Sequence, residues 1–127
     1  MAGQSPTDGR PRVLVADDES VIADTLTIIL GQNGYEAAAV YSGAEAVERA
    51  KTWRPDLLLA DVVMPEMSGI EAAIRVRALL PACRILLLSG QAATIDLMHD
   101  ARRDGHEFEI ILKPIHPTQL LERLQKP

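Results

Sequence analysis

The stretch Leu57-Leu-Leu-Ala-Asp61 is an unbroken apolar run that stops on a carboxylate. Three other runs end on polar residues in the same way: Arg12-Val-Leu-Val-Ala-Asp17-Asp18, Ile85-Leu-Leu-Leu-Ser89 and Ile110-Ile-Leu-Lys113. Short apolar runs of this kind are typical of strands buried on both faces of a parallel sheet. Because the carboxyl ends of parallel strands meet at one edge, where open α/β sheets bind ligands, we expect these polar residues to share one pocket.

Helical patterns separate the apolar runs. The segment Ser42-Gly-Ala-Glu45, for example, has the form of a capping box that begins a helix. The sequence predicts strands at residues 12–17, 35–40, 57–61, 84–88 and about 108–112, each followed by a helix. The last three helices are expected at about 69–80, about 94–104 and from 117 onward. This alternation predicts an α/β fold, a single doubly wound domain with a five-stranded parallel sheet covered by helices on both faces.

Length and composition limit the class of protein. The 127 residues suffice for one domain, expected at 12–126 after a disordered leader at residues 1–11. A net charge of −5 argues against a nucleic-acid ligand, and the apolar runs are much shorter than the ~20 residues that span a bilayer. The lone cysteine, Cys83, fits a reduced, cytoplasmic protein. The chain could be a stand-alone domain or a piece of a longer regulator, and both alternatives stay open.

Each polar strand end has a simpler structural explanation when it is considered alone. Asp17-Asp18 would be a helix N-cap, and Asp61 would form a turn before Met64-Pro65. Ser89-Gly90 would be another turn, and Lys113-Pro114 a surface lysine before a helix break. The occurrence of all of them at strand ends, however, favours a functional site.

Three carboxylates in one pocket require compensating positive charge. At ~4 Å and an effective dielectric near 20, each ionised pair repels by about 4 kcal/mol. Mg²⁺ suits a site with carboxylates, a carbonyl, waters and a phosphate oxygen. Asp61, on the central strand, is then the natural nucleophile and would form an aspartyl phosphate. Ser89 and Lys113 would hold the phosphoryl oxygens.

The chain resembles the receiver domain of two-component response regulators, the chemotaxis-type single-domain fold. The resemblance covers about residues 12–125. It depends on four motifs: Val15-Ala-Asp17-Asp18-Glu19, Asp61-Val-Val-Met64-Pro65-Glu-Met67-Ser-Gly69, Leu88-Ser89-Gly90 and Lys113-Pro114. It implies a flavodoxin-like (βα)5 fold with strand order 2-1-3-4-5 and a cis bond before Pro114.

The resemblance also implies roles for individual residues. Asp61 would be the phospho-acceptor, Asp18 a direct Mg²⁺ ligand and Asp17 a ligand acting largely through water. The backbone carbonyl of Val63 would complete the protein ligands, and Ser89 and Lys113 would be the switch hydroxyl and the phosphate-binding lysine. The expected phosphodonor is a histidine kinase or a His-phosphotransfer protein.

The expected output is through an unidentified protein target. It would bind the face formed by the predicted helix at about 94–104, the fifth strand and the last helix. We expect no nucleic-acid or membrane partner, a monomer or a weak phosphorylation-dependent dimer, and no turnover of an external substrate. An apolar side chain at Val63 cannot hydrogen-bond an attacking water, which predicts slow self-dephosphorylation.

The sequence departs from the family before Lys113, where the segment from Gly105 is one residue longer than usual and an aromatic residue is missing. Receivers usually carry Tyr or Phe where this chain has Ile110, so the aromatic part of the switch is either absent or moved to Phe108, which would lie on the same face.

A phosphorylation-independent scaffold is one alternative function. A haloacid dehalogenase-type phosphatase is the other, but it needs a second Asp where this chain has Val63.

Overall fold

The computed structural model describes residues 9–90, 99, 102, 105 and 108–126. Strands and helices alternate through most of this chain. They are β1 (Arg12–Ala16), α1 (Ser20–Gly31), β2 (Glu36–Val40), α2 (Gly43–Trp53), β3 (Leu57–Asp61), α3 (Gly69–Leu79), β4 (Arg84–Ser89), β5 (Glu109–Leu112) and α4 (Pro117–Gln125). Most of the helix predicted at about 94–104 and most of the predicted leader lie outside the described residues.

The five strands form one parallel sheet in the order β2-β1-β3-β4-β5, which confirms the predicted fold class and strand order. The register of the sheet aligns the carboxyl ends of β1, β3, β4 and β5, where the predicted site residues lie. Ala16 pairs with Ala60, so Asp17 is level with Asp61. Asp61 pairs with Leu88, and Ser89 pairs with Leu112, which puts Lys113 one position further along.

Alternating strand residues enter two separate hydrophobic clusters, one on each face of the sheet. In β3, Leu58 and Ala60 face a cluster completed by α2 and α3, whereas Leu57 and Leu59 face a cluster completed by α1 and α4. Because both faces are covered, all five β3 residues are buried. The continuous apolar run at 57–61 follows from this double burial.

Local signals determine where the helices begin and end. The Ser42 hydroxyl accepts the Glu45 N–H at 3.1 Å, as the capping box predicts, although the Glu45 carboxylate binds the Tyr41 N–H rather than that of Ser42. Helix α3 ends one residue earlier than expected, at Leu79, since Leu80 precedes a proline and leaves the helical region.

Arg84 fastens the end of α4 to the edge of the sheet opposite the polar strand ends. Its guanidinium binds both carboxylate oxygens of Glu109, at 2.8 and 2.9 Å. It also donates to the carbonyls of Arg123, Leu124 and Lys126, at 3.0, 3.1 and 2.8 Å. These carbonyls belong to the last turn of α4 and the residue after it, where helical partners are missing, so Arg84 caps this helix from the sheet.

Among the described residues, we find no helix with the length and apolar character needed to span a bilayer.

Candidate functional site

Asp17 connects β1 to α1 and is completely buried. One of its carboxylate oxygens accepts the Glu19 N–H at 2.9 Å, and its own N–H donates to the Val40 carbonyl at 3.2 Å. The N-cap of α1 is Glu19, whose side chain makes no capping bond. The acidic pair is therefore not a conventional helix cap, and the second oxygen of Asp17 faces the polar edge of the sheet.

The three predicted metal-binding carboxylates lie together. Asp17, Asp18 and Asp61 each offer an oxygen within 4.8 Å of the other two. Asp61, at the end of β3, is 8% exposed, whereas Asp18 is exposed to solvent. This cluster has a buried floor and an open side, as a cation that keeps some of its water requires.

Lys113 supplies the positive charge nearest to the cluster. Its Nζ lies 3.2 Å from an Asp61 oxygen and 3.4 Å from an Asp17 oxygen. The Lys113 N–H donates to the Ser89 carbonyl at 2.8 Å, which fixes the backbone of Lys113 to the end of β4. The peptide bond to Pro114 is cis, as the family resemblance implies.

Ser89 is buried at the end of β4, one register position beyond Asp61. The sequence pattern therefore identified a set of residues that the structure brings to one edge of the sheet. The roles assigned to them remain predictions.

The charges at this edge perturb one another. Burial raises the pKa of Asp61, Lys113 opposes this increase, and the neighbouring charges of Asp17 and Asp18 add to it. For Lys113, burial disfavours the ammonium, but its bond to Asp61 and the charges of Asp61 and Asp17 outweigh burial, and the pKa is raised. The lysine thus remains charged but does not neutralise the cluster. A bound divalent cation would reverse this imbalance, and the oxygen-rich donor set suits Mg²⁺.

The loop after β3 carries the remaining predicted ligand. Val63 is 49% exposed between the buried Val62 and Met64, so its side chain points away from the core. At the start of α3, a β-carbon on Gly69 would overlap the Asp61 carbonyl oxygen, so only glycine fits there. Gly69 is the last residue of the motif that begins at Asp61, and no role was predicted for it from the sequence. The signal available was a glycine immediately after a serine that caps a helix.

Phe108 and Ile110 both contact the hydrophobic cluster on the α2–α3 side, which confirms that they share a face. The Arg77 guanidinium lies 5.3 Å from the centre of the Phe108 ring. Ile110 pairs with Leu87, two positions below Ser89, so Phe108 lies about 13 Å from the level of Ser89 along the strand. This separation weighs against Phe108 as a substitute switch residue, and a shifted aromatic switch stays a hypothesis.

The strand order and the acidic pocket at the carboxyl edge of the sheet are those of a CheY-like α/β domain. The family model for the response regulator receiver domain matches residues 13–125, and the chain belongs to this family. Domains of this family act in signalling and are not conventional enzymes that turn over an external substrate. The match does not favour the phosphatase or scaffold alternatives.

Similar proteins agree with the assignment of this chain to the receiver family. Chemotaxis protein CheY of Thermotoga maritima is 34% identical over 116 residues, which cover 91% of this chain and 95% of that protein. DNA-binding response regulator MtrA of Mycobacterium leprae is 32% identical, again over 91% of this chain, but the chain spans only 50% of MtrA.

Solved structures have the same fold. A CheY-like receiver domain protein from Methanospirillum hungatei superposes with a TM-score of 0.83 at 26% identity, covering 92% of each chain. Chemotaxis protein CheY4 of Vibrio cholerae superposes with a TM-score of 0.81 at 29% identity, covering 92% of this chain and 98% of that one.

Proposed function

We propose that this domain accepts a phosphoryl group on Asp61 from a histidine kinase or a His-phosphotransfer protein. The observation that carries the proposal is the position of Lys113, whose ammonium lies within 3.4 Å of two carboxylates of a three-carboxylate cluster. Such a concentration of like charge at a ligand-binding edge is costly unless it serves a ligand. Mg²⁺ would be held by Asp17, Asp18, Asp61 and the Val63 carbonyl.

The chemistry follows from the side chains at the edge. An ionised Asp61 oxygen attacks phosphorus in line, a P–O bond forms, and the P–N bond of the donor phosphohistidine breaks with its electron pair on the imidazole. When bound, Mg²⁺ supplies positive charge to the phosphoryl oxygens. Lys113, already beside Asp61, exchanges a carboxylate partner for a phosphoryl oxygen, and the Ser89 hydroxyl donates to another.

An apolar groove beside Lys113 supports a helical protein as the phosphodonor. The groove encloses about 560 Å³ between α1 and the segment after β5, and its lining includes Val21, Ile29, Ile115 and Pro117. Val21 is 76% exposed, so an apolar side chain of this groove is available to a partner. Since Lys113 also lines the groove, a helix seated there by apolar side chains would present a phosphohistidine directly to Asp61.

The proposal includes a cytoplasmic location, because Cys83 is an unpaired, buried thiol of the kind found in reducing compartments. The expected output face depends partly on the predicted helix at about 94–104, and it stays a prediction.

Intact-mass spectrometry after incubation with acetyl phosphate and Mg²⁺ tests the proposal. We expect one phosphoryl group on the wild type and none on Asp61→Ala, with uptake abolished by EDTA. A wild type that stays unmodified would support the scaffold alternative, and continuous release of inorganic phosphate without an adduct would support a phosphatase. Equal labelling of Asp61→Ala would place the acceptor at another residue.

A further inference from the structure

The loop between β3 and α3, residues 62–68, is held by hydrogen bonds at both ends. The Val62 N–H donates to the Leu88 carbonyl at 3.0 Å, and the Gly69 N–H donates to the Val62 carbonyl at 2.8 Å. Within the loop, the Met67 N–H donates at 2.7 Å to the carbonyl two residues earlier. These bonds make the loop one compact unit, so a displacement of Met67 would also displace Val63.

Gly43, the first residue of α2, contacts this loop from the neighbouring helix. A β-carbon on Gly43 would lie 2.9 Å from the Met67 carbonyl oxygen and 3.0 Å from both Cβ and Cγ of Met67. The backbone of Gly43 does not have a positive φ, so its conformation does not require glycine. Glycine also weakens a helix relative to alanine. Space for Met67 is therefore the physical reason for glycine at this position.

Three hydrogen bonds at the protein surface hold the start of α2 in place. The Ser42 hydroxyl accepts the Glu45 N–H at 3.1 Å, and the Glu45 carboxylate accepts the Tyr41 N–H at 2.8 Å. The Tyr41 hydroxyl in turn donates to Asp24 of α1 at 2.6 Å. A side chain at position 43 would therefore push the loop away rather than the helix.

We infer that Gly43 and Met67 together set the position of the β3–α3 loop and, through it, the geometry of the metal site. This inference rests on the proposed function, since it takes the Val63 carbonyl and the Asp61 carboxylate as Mg²⁺ ligands. Gly43 is a positioning residue, because it acts through Met67 on the loop that carries Val63 and directly follows Asp61.

Mg²⁺ titration by calorimetry on Gly43→Ala tests the inference. We expect the Mg²⁺ dissociation constant to rise about tenfold, as for other substitutions that displace metal ligands indirectly. The matched control is Gly31→Ala at the end of α1, where an added β-carbon would meet nothing within 4 Å. The control should bind Mg²⁺ as the wild type does. A wild-type dissociation constant for Gly43→Ala, or an equal loss in both variants, would overturn the inference.

The Met67→Ala variant completes a double-mutant cycle. It removes the Cγ contact, so Gly43→Ala should weaken Mg²⁺ binding less in this background than in the wild type. An unchanged effect would overturn the role of the Met67 side chain beyond Cβ, because the contacts to the Met67 carbonyl oxygen and Cβ remain in both backgrounds. If Gly43→Ala fails to fold, the Met67→Ala variant alone tests the inference. Faster amide exchange at residues 63–66 and weaker Mg²⁺ binding support the inference, and wild-type values refute it. A wild type that binds no Mg²⁺ would instead refute the proposed function.

Discussion

Replacing Asp61 by asparagine should stabilise the metal-free protein while it abolishes phosphoryl uptake. The substitution keeps the shape of the side chain and removes one of three clustered negative charges. One carboxylate oxygen of Asp17 and one of Asp18 lie within 4.8 Å of an Asp61 oxygen. The Lys113 ammonium lies 3.2 Å from Asp61. At an effective dielectric of ~20, the two repulsions amount to about 7 kcal/mol and the attraction to about 5 kcal/mol. Since burial of the charge adds to the repulsion, we expect Asp61→Asn to raise the free energy of unfolding by at least about 2 kcal/mol.

The pH dependence of this gain has a definite sign. The pKa of Asp61 is raised in the folded state by burial and by its acidic neighbours, so the native state holds this proton more tightly than the unfolded chain does. The stability from the protonated carboxyl is fully present below the unfolded pKa of about 3.9 and is lost as the pH rises through the folded pKa. The advantage of Asp61→Asn should therefore be complete at neutral pH and disappear below about pH 4.

Urea denaturation in EDTA measures the gain. Trp53 is a suitable probe, because it lies at the end of α2 and is partly buried against the core. The guanidinium groups of Arg12 and Arg49 lie 5.3 and 5.6 Å from the centre of its ring. Glu48→Gln, at an exposed position, removes the same charge and should change stability little. Added Mg²⁺ should stabilise the wild type but not Asp61→Asn. A metal-free Asp61→Asn that is less stable than the wild type at pH 7 would refute the electrostatic reasoning.

Three further predictions concern positions away from the carboxylate oxygens. Gly69→Ala should lower the free energy of unfolding by about 3 kcal/mol, because its β-carbon would overlap the Asp61 carbonyl; a urea midpoint equal to that of wild type would contradict this. Arg84→Met should lower the free energy of unfolding by about 2 kcal/mol in the same assay, after allowance for the partial exposure of the Arg84–Glu109 pair. It should also make the α4 amides exchange faster. Arg84 lowers the pKa of Glu109, so the stability that the Arg84–Glu109 pair contributes should be lost as the pH falls through the range where Glu109 is protonated. Burial raises the pKa of Cys83 to about 11, so the thiol should react slowly with a disulfide reagent at pH 8 and rapidly in urea; fast labelling of the native protein would contradict its burial.

The strands and the site residues could be predicted from sequence because their signals are local. An apolar run such as 57–61 indicates a strand, and a polar residue at its end is placed by the direction of the chain. Side-chain distances were not needed to group Asp17, Asp61 and Lys113, since parallel strands bring their carboxyl ends together. The strand order itself came from family resemblance and not from these signals.

The contacts that sequence reasoning missed are close approaches between distant segments. Gly43 and Met67 are far apart in the chain, and their fit depends on separations of about 3 Å that no residue pattern encodes. Arg84 appeared only as the first residue of a strand, yet its guanidinium joins β5 to the last turn of α4. The net effect of Lys113 on Asp61 was also inaccessible, because the balance between attraction and burial depends on the depth of the pocket.

The contact between Lys113 and Asp17 joins residues 96 positions apart in the chain. Asp17 is made early during synthesis, and its ammonium partner emerges only after all five strands. A nascent chain or a truncated fragment that ends before β5 therefore lacks the lysine beside the proposed phospho-acceptor. Competence to receive a signal would then be acquired in one step, when the last strand joins the sheet, and incomplete copies of the domain would not compete for the donor.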